Sequence, residues 1–217
     1  MPEPGLFRYR IRFAKTAPLR FIGHLDLHRA WERTLRRAGA PLAYSSGHNP
    51  RPRLNLGLAL PLGCTSEGDL LDAYLESRWE PQALLSALRA AAPDGLEVES
   101  VDEIEPGAPT LQREISSCEY RVELEQSVDP AQISAAVRRL LEAESLPRQR
   151  RGRHYDLRPL VEGLELEGGQ NGRPPMLVIR LAAREGATGR PEEVLLQLGL
   201  DPLALIPHRF RLLGPSD

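Results

Sequence analysis

The sequence predicts an α+β protein made of two tandem ferredoxin-like units, each running β-α-β-β-α-β in chain order. Three observations carry this. Apolar and polar residues alternate through Phe7–Phe13, and the alternation returns at Tyr120–Glu125, offset by 111 residues. A helical apolar stripe follows each run. The same order of elements then repeats through both halves of the chain.

The first strand places Phe7, Tyr9, Ile11 and Phe13 toward a core, since successive side chains of a strand point to opposite faces. Arg8, Arg10 and Arg12 then line the other face about 7 Å apart, close to the spacing of successive phosphates on a nucleic-acid strand. An anion-facing sheet competes here with an ordinary solvated strand. A helix from about Leu25 to Ala38 buries Leu27, Trp31, Leu35 and Ala38, with Gly39 and Pro41 as stop signals. Arg29, Arg33, Arg36 and Arg37 gather on its opposite side within about 100° of arc. Asp26 or His24 is the expected cap.

A Pro-stiffened loop follows, and then a run in which Leu54, Leu56, Leu58, Leu60 and Leu62 share one face of a strand. Leu70–Glu76 reads as a further strand, Pro81–Ala91 as a helix opened by proline, and Leu96–Ile104 as the closing strand. The polar stretch 105–114 is a linker, which puts the units at 1–107 and 108–217. The second unit repeats the order: a strand at 120–125, a helix over Pro130–Glu144, strands at Val161–Glu167 and Met176–Ala182, a helix over Pro191–Leu198 and a strand at His208–Leu212. Glu192 and Glu193 suit the first turn of the last helix, and Gly199 ends it.

The 217 residues carry a net charge of −2 that hides a strong asymmetry. Residues 1–53 hold 11 basic against 3 acidic residues, residues 54–130 hold 4 against 16, and the remainder 13 against 11. One basic and one acidic surface are expected, and with them two kinds of partner. All basic residues but Lys15 are arginine, which suits bidentate phosphate contacts. Cys64 and Cys118 have neither disulfide-framework nor zinc-ligand spacing. No apolar run approaches the roughly 20 residues that span a bilayer, and the opening residues lack signal-peptide character, so no membrane association and a cytoplasmic setting are expected.

Three further clusters bear on chemistry. Pro50 and Pro52 stiffen a loop that presents His48, Asn49, Arg51 and Arg53, a pre-ordered set of donors for phosphates or base edges. Arg148, Arg150, Arg151, Arg153, His154 and Arg158 crowd one segment around Tyr155; basic residues interleaved with an aromatic suit single-stranded or looped RNA. His24, His28 and His48 are the candidates for acid–base cleavage of RNA, since histidine titrates near neutral pH. His24 and His28 stand one turn apart but lack a third ligand, so no metal site is expected. Phosphate-binding loops, dinucleotide fingerprints, nucleophile elbows and three-cysteine cluster motifs are all absent, so no cofactor is expected in this chain.

The run YRIRFAKTAPLRFIGHLDLHRAWERTLRRAGAPLAYSSGHNPRPRLNLGLALPLG resembles the opening of the bacterial radical SAM-linked (radical SAM-associated) proteins, a domain of unknown function. YDLRPLVEGLELEG and RPEEVLLQLGLDPL resemble the C-terminal half of that family. Its members usually carry serine where Gly23 stands and often phenylalanine where His48 stands. The resemblance implies a radical SAM protein as partner, encoded nearby or fused, bearing an iron–sulfur cluster and S-adenosylmethionine. The duplicated architecture is also similar to RAMP-type RNA-binding proteins, a likeness of fold only. The expected function is a non-enzymatic adaptor that binds tRNA or rRNA for a radical SAM modification enzyme. A metal-independent RAMP-type endoribonuclease and a protein–protein scaffold are the alternatives.

Overall fold

Alternation along the first strand sets the centre of the N-terminal sheet. In the computed structural model, which describes residues 5–150, 152–168, 174–215 and 217, β1 spans Phe7–Lys15. β3 (Thr65–Leu75) pairs antiparallel with one side of it, placing Phe7 opposite Leu75 and Ile11 opposite Leu71. β4 (Leu96–Ile104) pairs antiparallel with the other side, and β2 (Leu54–Leu56) with the outer edge of β3. The order is therefore β2-β3-β1-β4.

Two helices cover one face of this sheet. α1 (His24–Arg37) buries Leu27, Trp31 and Leu35, and α2 (Pro81–Ala91) buries Leu84, Leu85 and Leu88. With Tyr9, Ile11 and Phe13 they form one core, against which Phe7 packs partly buried. The Phe13 and Trp31 rings meet edge to face, their centroids 5.0 Å apart, in the arrangement the ring quadrupoles favour. Tyr9 is buried without penalty because its hydroxyl donates to the Trp79 carbonyl at 2.7 Å and accepts the Trp79 N–H at 2.8 Å.

Three expectations need correction in this unit. The strand expected to run to Leu62 stops at Leu56. Beyond it the Gly57 N–H bonds the Leu70 carbonyl, Pro61 has no N–H to give a ladder, and Leu62 lies exposed. α1 is capped by neither His24 nor Asp26: Gly23 is the N-cap and supplies no side chain, while Asp26 pairs with Arg29 at 3.2 Å. The linker contains a short helix, α3 (Leu111–Glu114), whose Leu111 is fully buried, and α3 packs on β3. The chain accordingly divides into compact units Met1–Glu114 and Ile115–Asp217.

In the second unit β5 (Ser117–Glu123) is central. β9 (Pro175–Arg184) flanks it on one side with Tyr120 opposite Ile179, and β11 (His208–Leu213) on the other. β8 (Val161–Gly168) adds to β9, as does the short β10 (Ala187–Thr188), giving β8-β9-β5-β11 for the main strands. α4 (Pro130–Glu142) and α5 (Pro191–Gln197) contribute Ile133, Val137, Leu140, Val194 and Leu195 to the buried set. The basic segment after α4 is a hairpin, β6 (Pro147–Arg150) paired with β7 (Arg153–Asp156), with Gly152 at φ +77° in its turn. The chain is thus an α+β protein with antiparallel sheets and few helices.

Candidate nucleic-acid interface

The arginine row on β1 is largely neutralised within its own unit. Asp72 sits directly opposite Arg10 across the β1–β3 ladder. Its Oδ2 accepts from Nε of Arg8 at 3.0 Å, and its Oδ1 from Nε of Arg10 at 2.9 Å. Arg8 also donates to the carbonyls of Ala108 and Pro109, and Arg10 pairs with Glu114. Burial alone would lower the Arg10 pKa; the bonds to Asp72 and Glu114 outweigh it and hold the guanidinium above its usual value. Asp72 itself is buried, so these contacts close the face where two of the three arginines were expected to meet phosphates. Arg12 alone stays exposed, without an ion pair among the described residues.

The α1 arginines divide in a similar way. Arg29 is held by Asp26, and Arg37 donates to the Ala91 carbonyl at 2.6 Å, closing the C-terminal end of α2. Arg33 is exposed and has no ion pair among the described residues. Arg36 pairs with Glu32 at 2.8 Å and donates to the Tyr44 hydroxyl at 2.9 Å, its guanidinium 5.9 Å from that ring's centre. The Tyr44 hydroxyl, and to a smaller degree Glu32, hold Arg36 above its usual pKa.

Tyr44 opens an arm that extends the edge of the sheet. Ala43 donates to the Tyr74 carbonyl, Arg53 to the Ala43 carbonyl and Tyr74 to the Arg53 carbonyl, at 2.8, 2.8 and 3.1 Å. Ser45 and Arg51 close the tip, through Ser45 N–H to the Arg51 carbonyl at 2.9 Å and Arg51 N–H to Oγ of Ser45 at 3.1 Å. His48, Asn49 and Arg51 are exposed on that tip, and the Arg53 guanidinium stands 5.3 Å from the Tyr74 ring centre. Arg36 and Tyr44 thereby form an arginine–tyrosine surface beside α1, whereas Arg53 and Tyr74 pair on the opposite face of the sheet, because they alternate with the core residues Leu54, Ala73 and Leu75. Such a surface can pair phosphates and stack on bases at once.

The hairpin β6–β7 occupies the corresponding place in the second unit, between first helix and second main strand. Its cations are more engaged. Arg148 lies 3.5 Å from Glu193 and donates to Gln197. Arg158 donates to the Leu141 and Val161 carbonyls at 3.0 and 2.9 Å, tying the end of α4 to the start of β8. Asp156 accepts the N–H groups of Leu146 and Arg158 at 2.7 and 2.9 Å, which with the Ser145 hydroxyl lower its pKa. Tyr155 turns inward, and burial, reinforced by Glu193, raises its pKa, whereas a stacking role calls for an exposed ring. Arg150 is half-buried, Arg153 and His154 are exposed, and Arg151 lies outside the described residues.

The histidines are not gathered by the fold into one cluster along α1. His24 and His28 occupy its first turns, whereas the arm bearing His48 is anchored at Arg36, roughly 18 Å further along the helix axis. Among the described residues no group of three His, Cys, Asp or Glu could hold a metal ion.

A family model described as an uncharacterized protein conserved in bacteria, DUF2344, matches residues 8–191. The chain belongs to that family. No curated protein matches this DUF2344 chain. Among solved structures it is similar to a chain in the crystal structure of a Cbf5-Nop10-Gar1 complex, at 14% identity and a TM-score of 0.49. That match covers 94% of this chain and 48% of the other, so the chain spans about half the length of that structural neighbour.

Sequence reasoning overlooked Tyr44, Tyr74 and Asp72. Tyr44 stands directly before the SSGHNPRPR loop, and an aromatic at the base of a basic loop was a readable signal. Asp72 was readable as a lone acid inside the apolar run LLDAYL. Its partners were not, because they depend on strand register.

Proposed function

We propose that this DUF2344 protein is a non-enzymatic RNA-binding adaptor that presents tRNA or rRNA to a radical SAM modification enzyme. Its fold is read as two tandem ferredoxin-like units in a RAMP-like duplication, which the matching orders β2-β3-β1-β4 and β8-β9-β5-β11 support. The observation that carries the RNA reading is the surface shared by α1 and the 42–53 arm. Arg33 and Arg51 are exposed there with no ion pair among the described residues, beside Arg36 on Tyr44. Phosphates supply the missing counter-charges and bases supply flat faces for the ring. The radical SAM partner, with its iron–sulfur cluster and S-adenosylmethionine, enters through the family resemblance of the FIGHLDLHRAWERTLRRAG segment.

Fluorescence anisotropy with labelled tRNA, titrated over salt, tests the reading. Each neutralised phosphate of a single strand contributes about −0.7 to the slope of log K against log salt. Replacing Arg33, Arg36 and Arg51 by glutamine makes the slope shallower by about 2 if each contacts a phosphate. An unchanged slope would remove this surface from consideration. Cleavage of the bound RNA would turn the protein into an endoribonuclease, and salt-insensitive weak binding would leave the scaffold. Co-elution with the radical SAM protein on size exclusion tests the partner separately.

A further inference from the structure

A second exposed feature lies elsewhere on the N-terminal unit and is apolar. Phe21, Leu25 and Leu62 are 65%, 72% and 65% exposed. Phe21 comes from the β1–α1 connection, Leu25 from the first turn of α1 and Leu62 from the β2–β3 connection, and the Gly63 N–H bond to the Arg20 carbonyl at 2.9 Å fastens the two connections together. Large side chains held in water at such exposure cost hydrophobic free energy, which contact with a partner recovers.

The support beneath them is unusually firm for a connection. The buried Lys15 ammonium donates to the carbonyls of Arg20 and Ile22 at 3.3 and 3.4 Å. The Thr16 N–H bonds the Gly95 carbonyl at 2.9 Å, and Leu19 packs so closely on Gly95 that a Cβ there would lie 2.8 Å from Leu19 Cγ. A loop fixed in this way presents its apolar side chains with little ordering entropy left to lose, as in an interface anchor.

Charge identifies the kind of partner. Within 20–29 the charged and titratable side chains are Arg20, His24, Asp26, His28 and Arg29; the segment 57–64 has no charged side chain, and its one thiol, Cys64, is buried. Asp26 is already paired with Arg29, and Arg20 lies 4.3 Å over the Phe21 ring. α1 also starts at Gly23 without a side-chain cap, so the positive end of its dipole faces the same patch. Leu25 and Leu62 offer a base no flat surface, which disfavours RNA here. In a two-fold pair of this chain the same patch meets itself and brings two copies of Arg20 and Arg29 into one interface.

We propose that Phe21, Leu25 and Leu62 form a docking surface for a protein segment that presents an apolar face flanked by carboxylates. The surface is distinct from the arginine–tyrosine surface and does not depend on the RNA reading. Panning a phage-displayed library of short amphipathic helical peptides on the full-length chain tests it. Peptides with aspartate or glutamate beside the apolar positions are expected to be enriched, and Phe21→Ser or Leu62→Ser weakens them at least about tenfold, equivalent to about 1.4 kcal/mol. Both side chains are exposed, so the thermal midpoint stays unchanged in either variant. Enrichment of basic or neutral peptides, no enrichment, or binding indifferent to both substitutions would overturn the proposal. So would displacement of the peptides by single-stranded RNA, or self-association of the parent chain that Leu62→Ser abolishes, since each assigns the patch to another occupant.

Discussion

Asp72 governs the chemistry of the first strand. A buried carboxylate facing two half-buried guanidiniums gains enough Coulombic energy to offset desolvation only while all partners are present. Asp72→Asn leaves both arginines short of their counter-charge, and the expected loss is about 3–5 kcal/mol in a urea titration. A near-zero change would mean that the arginines relax into solvent. Glu192 and Asp156 give opposite dependences on pH. Burial raises Glu192 above its usual 4.5, so the folded state binds its proton more tightly than the unfolded chain. Its contribution is fully present below 4.5 and is lost as pH rises through the raised value; Glu192→Gln should therefore stabilise the protein at neutral pH. Asp156 is lowered from 3.8, so its contribution holds above that value and is lost as pH falls through the lowered one. Asp156→Asn should remove that acid-side loss, as read from thermal midpoints against pH.

At the scale of elements, α1 buries one side in the core and carries arginines on the other. Trp31 is wholly buried, and Trp31→Ala should cost about 3–5 kcal/mol in denaturant. A near-neutral effect would contradict the packing described. The helix begins at Gly23 with φ −78° and ψ 172°, a geometry open to serine, and a Cβ there would approach nothing nearer than Asp26 Oδ2 at 3.9 Å. Gly23→Ser supplies the absent cap and should stabilise by a few tenths of a kcal/mol, roughly the difference between serine and glycine at this position. The two basic insertions show how alike in composition and unlike in use two elements can be. In the 42–53 arm Arg51 is exposed with no ion pair among the described residues, whereas in the β6–β7 hairpin and just after it Arg148 is engaged by Glu193 and Gln197 and Arg158 by carbonyls. The sequence shows the number of cations in each insertion but not which of them already have partners.

For the whole molecule this difference predicts an order of effects on RNA affinity. Replacing Arg33, Arg36 and Arg51 by glutamine should flatten the salt dependence by about 2, whereas replacing Arg150 and Arg153 should change it by about 1 or less. Equal effects in the two units would restore the hairpin as an equal binding element. What the sequence determined by itself was local and periodic: the alternation of β1, the buried stripe Leu27–Trp31–Leu35, the proline-opened helices α2 and α5, and the repeated order of elements in both halves. These follow from the fixed periods of strand and helix, which neighbours in sequence suffice to display. Tertiary structure decided which charges remain available. Asp72 reaches Arg8 and Arg10 across 64 and 62 residues, Glu114 reaches Arg10 across 104, and the exposure of Leu62 depends on where β2 stops. Such pairings arise from strand register and chain reversal, and no local period encodes them.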